Sequence, residues 1–253
     1  MSFRDHFSQG SAAYAEFRPR YPTVLFDWLA SLAPARRVAW DAATGNGQAA
    51  LPLAARFERV VATDASAAQL REAAPHARIE YRVARAEDGG LPDASVDLVT
   101  VAQAAHWFEL PAFHAQVARA LVPRGVVAVW CYGLLAIEPR LDEQLHAFYV
   151  DVVGSYWPPE RRLVDEGYRD LSFPFAELAA PEFAMEHDLR LPALAGYLGT
   201  WSAVQGFRKA RGSDPVEPFV RELATAWGEP DRPRRVRWPL HLRVGRSRSS
   251  DGC

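Results

Sequence analysis

Two acids and a glycine turn are the residues of this chain best placed to do chemistry together. The segment Val38-Ala39-Trp40-Asp41-Ala42-Ala43-Thr44-Gly45-Asn46-Gly47-Gln48 ends an apolar run in Asp41 and then turns through two glycines. Glycine lets backbone approach a ligand unobstructed, and amides opening a following helix point toward whatever binds there. Seventeen residues beyond Gly47 stands Asp64, whose carboxylate could accept hydrogen bonds from both hydroxyls of a ribose. Further along, Gln103-Ala104-Ala105-His106-Trp107-Phe108 sets an imidazole beside two large aromatics. His106 can donate to a carboxylate or serve as a base, while Trp107 and Phe108 can wall a pocket. Arg18, Arg161 and Arg162 are natural partners for an acidic ligand, because a guanidinium matches both oxygens of a carboxylate. Tyr14, Tyr21, Trp157 and Trp201 could close such a site. Each feature also has a plainer reading, as a tight turn, a helix cap, a packed histidine, solvated arginines or core aromatics.

The elements that must hold these residues follow from the apolar pattern. Short β-branched runs at Val38 to Ala42, Val60 to Thr63, Ile79 to Val83, Val96 to Ala102 and Val126 to Cys131 predict strands. Between them Gln48 to Phe57, Ala65 to Ala74 and Pro111 to Leu121 predict helices, with Ser66 capping the second. The alternation predicts an α/β fold, a doubly wound, mostly parallel sheet with ligands at the carboxyl ends of its strands. Residues 1–33 read as an N-terminal lid and leading helix, 34–135 as the binding core, 136–245 as a helical cap plus the last strands, and 246–253 as a disordered tail. Within the cap, Phe183 to Leu191 is expected to be extended, and Ala193 to Arg211 and Pro215 to Trp227 to be helical. The run Val236 to Val244 is expected to form an antiparallel edge strand, since Pro239 lies inside it.

Composition narrows the function. A formal charge of -2 leaves no excess of positive charge to neutralise phosphates, which argues against a nucleic-acid partner. Cys131 and Cys253 cannot build a disulfide framework, and no run approaches the roughly 20 apolar residues that span a bilayer. A cytoplasmic protein without a membrane partner is expected, as a monomer or homodimer. Lys209 is the only lysine against an abundance of arginine and alanine, the usage of a high-GC, bacterial coding sequence. The scattered histidines and the absence of C-x-x-C spacing predict no metal site.

The order of acid, glycine turn and second acid resembles the class I S-adenosylmethionine-dependent methyltransferases. More narrowly, Tyr14, Arg18-Pro19-Arg20-Tyr21-Pro22, Thr44-Gly45-Asn46-Gly47-Gln48, Ala86-Glu87-Asp88, the Gln103 to Phe108 segment and Tyr197-Leu198-Gly199-Thr200-Trp201-Ser202 resemble the trans-aconitate methyltransferase-like branch. The resemblance implies S-adenosyl-L-methionine as cofactor. It puts Asp41 and Gly45 near the methionine moiety, Gly47 at the close backbone approach, Asp64 on the ribose, and Ala86 and Glu87 along the adenine. Ala43, Asn46, Ala65 and Gln103 complete the implied lining. Two departures stand out: Ala43 occupies the position of the family's first glycine, requiring ordinary backbone angles or a local shift, and Arg85 replaces a frequent acid, for which Glu87 or Asp88 could substitute.

Methyl transfer from a sulfonium is an in-line displacement, so alignment and exclusion of water matter most. The expected acceptor is a small molecule reacting at a carboxylate or hydroxyl oxygen, a trans-aconitate-like organic acid being the concrete case, with His106 the first candidate for substrate contact. The alternatives are an NAD(P)-dependent oxidoreductase, whose G-x-G-x-x-G turn is not matched here, and a module that binds the cofactor without catalysis.

Overall fold

The computed structural model describes residues 19–247, so Tyr14 and Arg18 lie outside the described residues. Five strands, β1 (Val38–Ala42), β2 (Arg59–Asp64), β3 (Ile79–Val83), β4 (Val96–Ala102) and β5 (Leu121–Tyr132), form a parallel sheet in the order β3-β2-β1-β4-β5. The chain winds outward from β1 through β2 to β3, then crosses back to β4. That reversal puts the switch point of the sheet, the place where open α/β folds take their ligands, at the carboxyl ends of β1 and β4. The antiparallel edge expected from sequence is present and larger than predicted. It comprises β6 (Ala176–Leu178), β7 (Phe183–Leu189) and β8 (Arg234–Arg246). β8 pairs with β7 up to Leu240 and with β5 from Leu240 onward. Pro239 therefore falls where the β5 ladder has not yet begun, a place where a missing N–H is tolerated.

Successive residues of each strand face opposite sides, which sorts the core into two layers. Ala39, Leu98 and Trp130 pack with α1 (Thr23–Leu32), α2 (Ala50–Ala54) and the cap helices α5 (Pro139–Ala147), α7 (Leu191–Gly199), α8 (Ser202–Arg211) and α9 (Val216–Trp227). Trp40, Val99 and Val129 pack with α4 (Leu110–Ala120) and α6 (Arg161–Asp165). Between β2 and β3 lies α3 (Ala67–Arg71), and the Ser66 hydroxyl accepts from the Gln69 N–H, the expected cap.

Several expectations are corrected. The first two crossover helices are single short turns rather than spans over 48–57 and 65–74. The predicted helix over 193–211 is two, α7 and α8, broken where Trp201 is extended. Gly245 and Arg246 belong to β8 and the Ser247 N–H donates to the Gly125 carbonyl, so the predicted tail is held to the sheet at its start.

Candidate active site

The carboxyl ends of β1, β2 and β4 bring Asp41, Asp64 and the Gln103 to Phe108 segment to one edge of the sheet. Asp41 is fully buried and lies in register with Thr100 of β4. Its carboxylate accepts hydrogen bonds from Thr44 Oγ1 at 2.6 Å and Thr100 Oγ1 at 2.7 Å. Burial raises its pKa to about 6 even though both hydroxyls stabilise the anion. Asp64 ends β2, and its two oxygens accept the Gly45 N–H and the Ser66 N–H, each at 2.8 Å. The second acid thereby fastens the first turn.

The turn itself runs through left-handed backbone at Ala43 (φ 54°), Gly45 (φ 58°) and Gly47 (φ 85°). Ala43 does not adopt ordinary angles; it takes the conformation a glycine would take, which costs an L-residue roughly 1–2 kcal/mol. A Cβ at Gly47 would meet the Tyr81 hydroxyl oxygen at 2.6 Å, so a larger residue there must displace that phenol as well as adopt a left-handed φ. Asn46 sits partly buried between the two glycines, and Ala65 partly buried just after Asp64. On the far side, Ala86 is buried in a 3₁₀ turn, while Glu87 accepts from Arg85 Nε at 3.1 Å and from the Glu109 N–H at 2.9 Å. Glu87 thus ties its turn to the start of α4 and forms an ion pair with Arg85.

Gln103 differs from expectation in what its side chain does. It is a left-handed residue (φ 57°) whose carboxamide donates to the Tyr132 carbonyl at 3.1 Å and accepts the Tyr132 N–H at 2.8 Å, clamping the ends of β4 and β5. The 3₁₀ turn that follows carries His106 and Trp107, with ring centroids 4.7 Å apart. His106 Nδ1 lies 2.7 Å from the Tyr168 hydroxyl. Desolvation, aided by the positive charge of Arg161, pushes the imidazole pKa down to about 3, so the ring is neutral at physiological pH.

Above this edge, α5 widens into a π-helical turn, Phe148–Val152, that carries Tyr149. The Tyr149 hydroxyl donates to Asp165 Oδ1 and accepts from Arg161 Nε, both at 2.7 Å. The Arg161 guanidinium stacks over Trp157 at 4.5 Å and over Tyr149 at 5.4 Å. Trp201 closes the cluster, with ring centroids 5.6 Å from both Trp157 and Tyr149. Tyr21 packs apart from this cluster, edge-on to Trp130 at 5.5 Å. Arg162 is an exposed residue paired with Glu166. Thr100, Tyr149 and Tyr168 were not singled out by sequence, and Thr44 only as a member of the turn motif. Thr100 is recoverable once β1 and β4 are paired, whereas nothing local marks the two tyrosines.

Comparison with known proteins bears directly on this arrangement. Residues 40–129, from Trp40 through the turn and Asp64 to β5, match the methyltransferase domain family. A protein of Dictyostelium discoideum named as a methyltransferase is 33% identical over 247 residues, covering 95% of this chain and 94% of that one. The chain belongs to the class I S-adenosylmethionine-dependent methyltransferases. A solved structure described as a type II methyltransferase, from Anaeromyxobacter dehalogenans, is 49% identical, with a TM-score of 0.86 over 91% of this chain and 98% of that one. A methyltransferase of Mycobacterium tuberculosis is 39% identical over 128 residues, about half of each chain. The enzyme is therefore a methyltransferase, with S-adenosylmethionine as cofactor, and not an NAD(P)-dependent oxidoreductase. The residues at this edge fit that cofactor: the partly buried Asp64 carboxylate suits its hydroxyls, and the small residues Ala43 and Gly45 stand partly buried beside it. Among the described residues no group of three His, Cys, Asp or Glu could hold a metal ion, and no helix is long and apolar enough to cross a membrane.

Proposed function

We propose that this methyltransferase acts on a small organic acid, forming an O-methyl ester, with a trans-aconitate-like acid as the reference acceptor and a hydroxyl oxygen as the alternative. The observation that carries this is Arg161. Its Nε is engaged by Tyr149 and by Asp165 at 3.0 Å, while neither Nη nitrogen makes a hydrogen bond among the described residues. The side chain is only 17% exposed, so these donors sit in an aromatic, largely dry setting where an anion is the favourable partner.

When bound, S-adenosylmethionine supplies a methyl group on a sulfonium, open to in-line displacement. A carboxylate is already ionised near neutral pH, so the chain need not remove a proton from it. In this reading Asp64 accepts from the ribose, Asp41 with Gly45 and Asn46 faces the methionine moiety, and Ala65, Ala86 and Glu87 flank the adenine. Arg161 holds the acid, His106 donates to it, and Trp107, Trp157 and Trp201 keep water out.

The test is a screen of organic acids with a radiolabelled methyl donor. Arg161→Gln is expected to raise KM for the acid by roughly 10- to 100-fold, the worth of a hydrogen bond between charged groups, with the cofactor dissociation constant unchanged. Labelling of phenols or amines but of no acid, or an unaltered KM, overturns the reading.

A further inference from the structure

Tyr168 is fully buried and held in an uncommon backbone conformation, with φ 59° where bulky L-residues are rare. It follows Gly167, also left-handed at φ 62°, where an added Cβ would meet the His241 ring at 2.9 Å. These two residues turn the chain sharply after α6 and send the phenol inward beneath the sheet edge. Arg243 braces the turn from β8, its Nη1 donating to the carbonyls of Tyr168 at 3.3 Å and Leu171 at 2.5 Å. Strain of this kind persists only where the surroundings impose it, and it gathers at functional sites. Its product is a single contact, the hydroxyl 2.7 Å from His106 Nδ1.

Which partner donates across that contact decides what the imidazole can do. The phenol is fully buried, and among the described residues His106 Nδ1 is the one hydrogen-bond partner of its hydroxyl. Were the proton on Nδ1, the phenolic O–H would be a buried donor with no acceptor, so the hydroxyl directs its proton to Nδ1. His106 Nε2, the ring's other nitrogen, makes no hydrogen bond among the described residues. The geometry points to Tyr168 as the positioning residue of the active site: its hydroxyl donates to Nδ1 and fixes His106 as the Nε2–H tautomer, a hydrogen-bond donor to the acceptor's oxygen and not a general base.

This deepens the acid-methylating reading and rests on it for the substrate, since a carboxylate wants a donor where a phenol or alcohol would want a base. The charged and titratable groups around the pair agree. Arg161 on α6 opposes any imidazolium, Cys131 of β5 lies beside the phenol, and Tyr149 and Asp165 are bound to Arg161. Among the described residues no carboxylate interacts with His106 to draw a second proton onto it.

The decisive measurement is a long-range ¹H–¹⁵N spectrum of the full chain, histidine-labelled and saturated with S-adenosylhomocysteine. Nε2 protonated and Nδ1 bare for His106, unchanged from pH 5.5 to 8, is the expected result; a protonated Nδ1, in either a neutral or a cationic ring, overturns the assignment. In turnover of the best acid from the screen, His106→Gln keeps a donor near the Nε2 position and is expected to stay within about fivefold of wild type. His106→Ala should lose more than about tenfold. Equal losses in the two variants count against the donor role. Tyr168→Phe should lower kcat by about tenfold, leave the cofactor dissociation constant unchanged and yield a mixture of tautomers; an unmixed Nε2–H signal in that variant refutes the positioning role. The spectrum needs no acceptor, so a wrong substrate class and a wrong tautomer are told apart.

Discussion

Ala43 shows how much a single backbone angle can decide. At φ 54° it is held in a conformation that a glycine would take freely. Replacing it by glycine relieves roughly 1–2 kcal/mol of strain and adds roughly 0.5–1 kcal/mol of unfolded-chain entropy. Ala43→Gly is accordingly expected to stabilise the protein by about 0.5–1 kcal/mol in denaturant melts, with little change in cofactor affinity. A loss of stability would mean that the alanine methyl packs favourably enough to outweigh its angle.

Among the elements, the join between β4 and β5 governs where the His106 turn stands. Gln103 closes that join with two side-chain hydrogen bonds to Tyr132, at the point where β4 ends and the backbone turns left-handed. Gln103→Ala removes both and leaves the Tyr132 N–H and carbonyl without that partner, so a loss of about 2–3 kcal/mol is expected in chemical unfolding. Gln103→Glu keeps an acceptor for the N–H and loses the donor to the carbonyl, and should fall between the two. If alanine is tolerated without loss, the parallel ladder alone holds the edge.

Across the whole molecule the site stores protons differently from the unfolded chain. Asp41 has a folded pKa near 6 against 3.8, so its contribution to stability falls as pH rises between those values. His106 has a folded pKa near 3 against 6.5, so its contribution falls as pH drops through that window. Between about pH 4 and 6 the native state carries the proton on Asp41 while the unfolded chain carries it on His106, and the two slopes cancel. Asp41→Asn should expose a stability that rises with pH over this range, and His106→Gln one that falls with pH by up to about 3 kcal/mol. Denaturant titrations of both variants at pH 4 and 6 check this; parallel, flat profiles would show that neither group is perturbed by the fold.

Strand positions, the glycine turn, both acids and the family were legible in the amino-acid order, because a parallel strand buried on both faces must be a short apolar run and a ligand-binding turn needs small residues at fixed places. Helix lengths were not, since Ala-rich segments such as 48–57 carry little signal for where a turn stops. Nor did local pattern reveal that Gln103 would clamp a strand, that Glu87 would tie down α4, or that Arg161 rather than Arg162 would face inward. Those roles depend on which residues distant in the chain become neighbours: Tyr168 reaches His106 across 62 positions, and Thr100 reaches Asp41 across 59. Residue type and spacing determined which chemistry the sheet edge could host; only tertiary packing, by burying some polar groups and pairing others, decided which of them are left to meet a substrate.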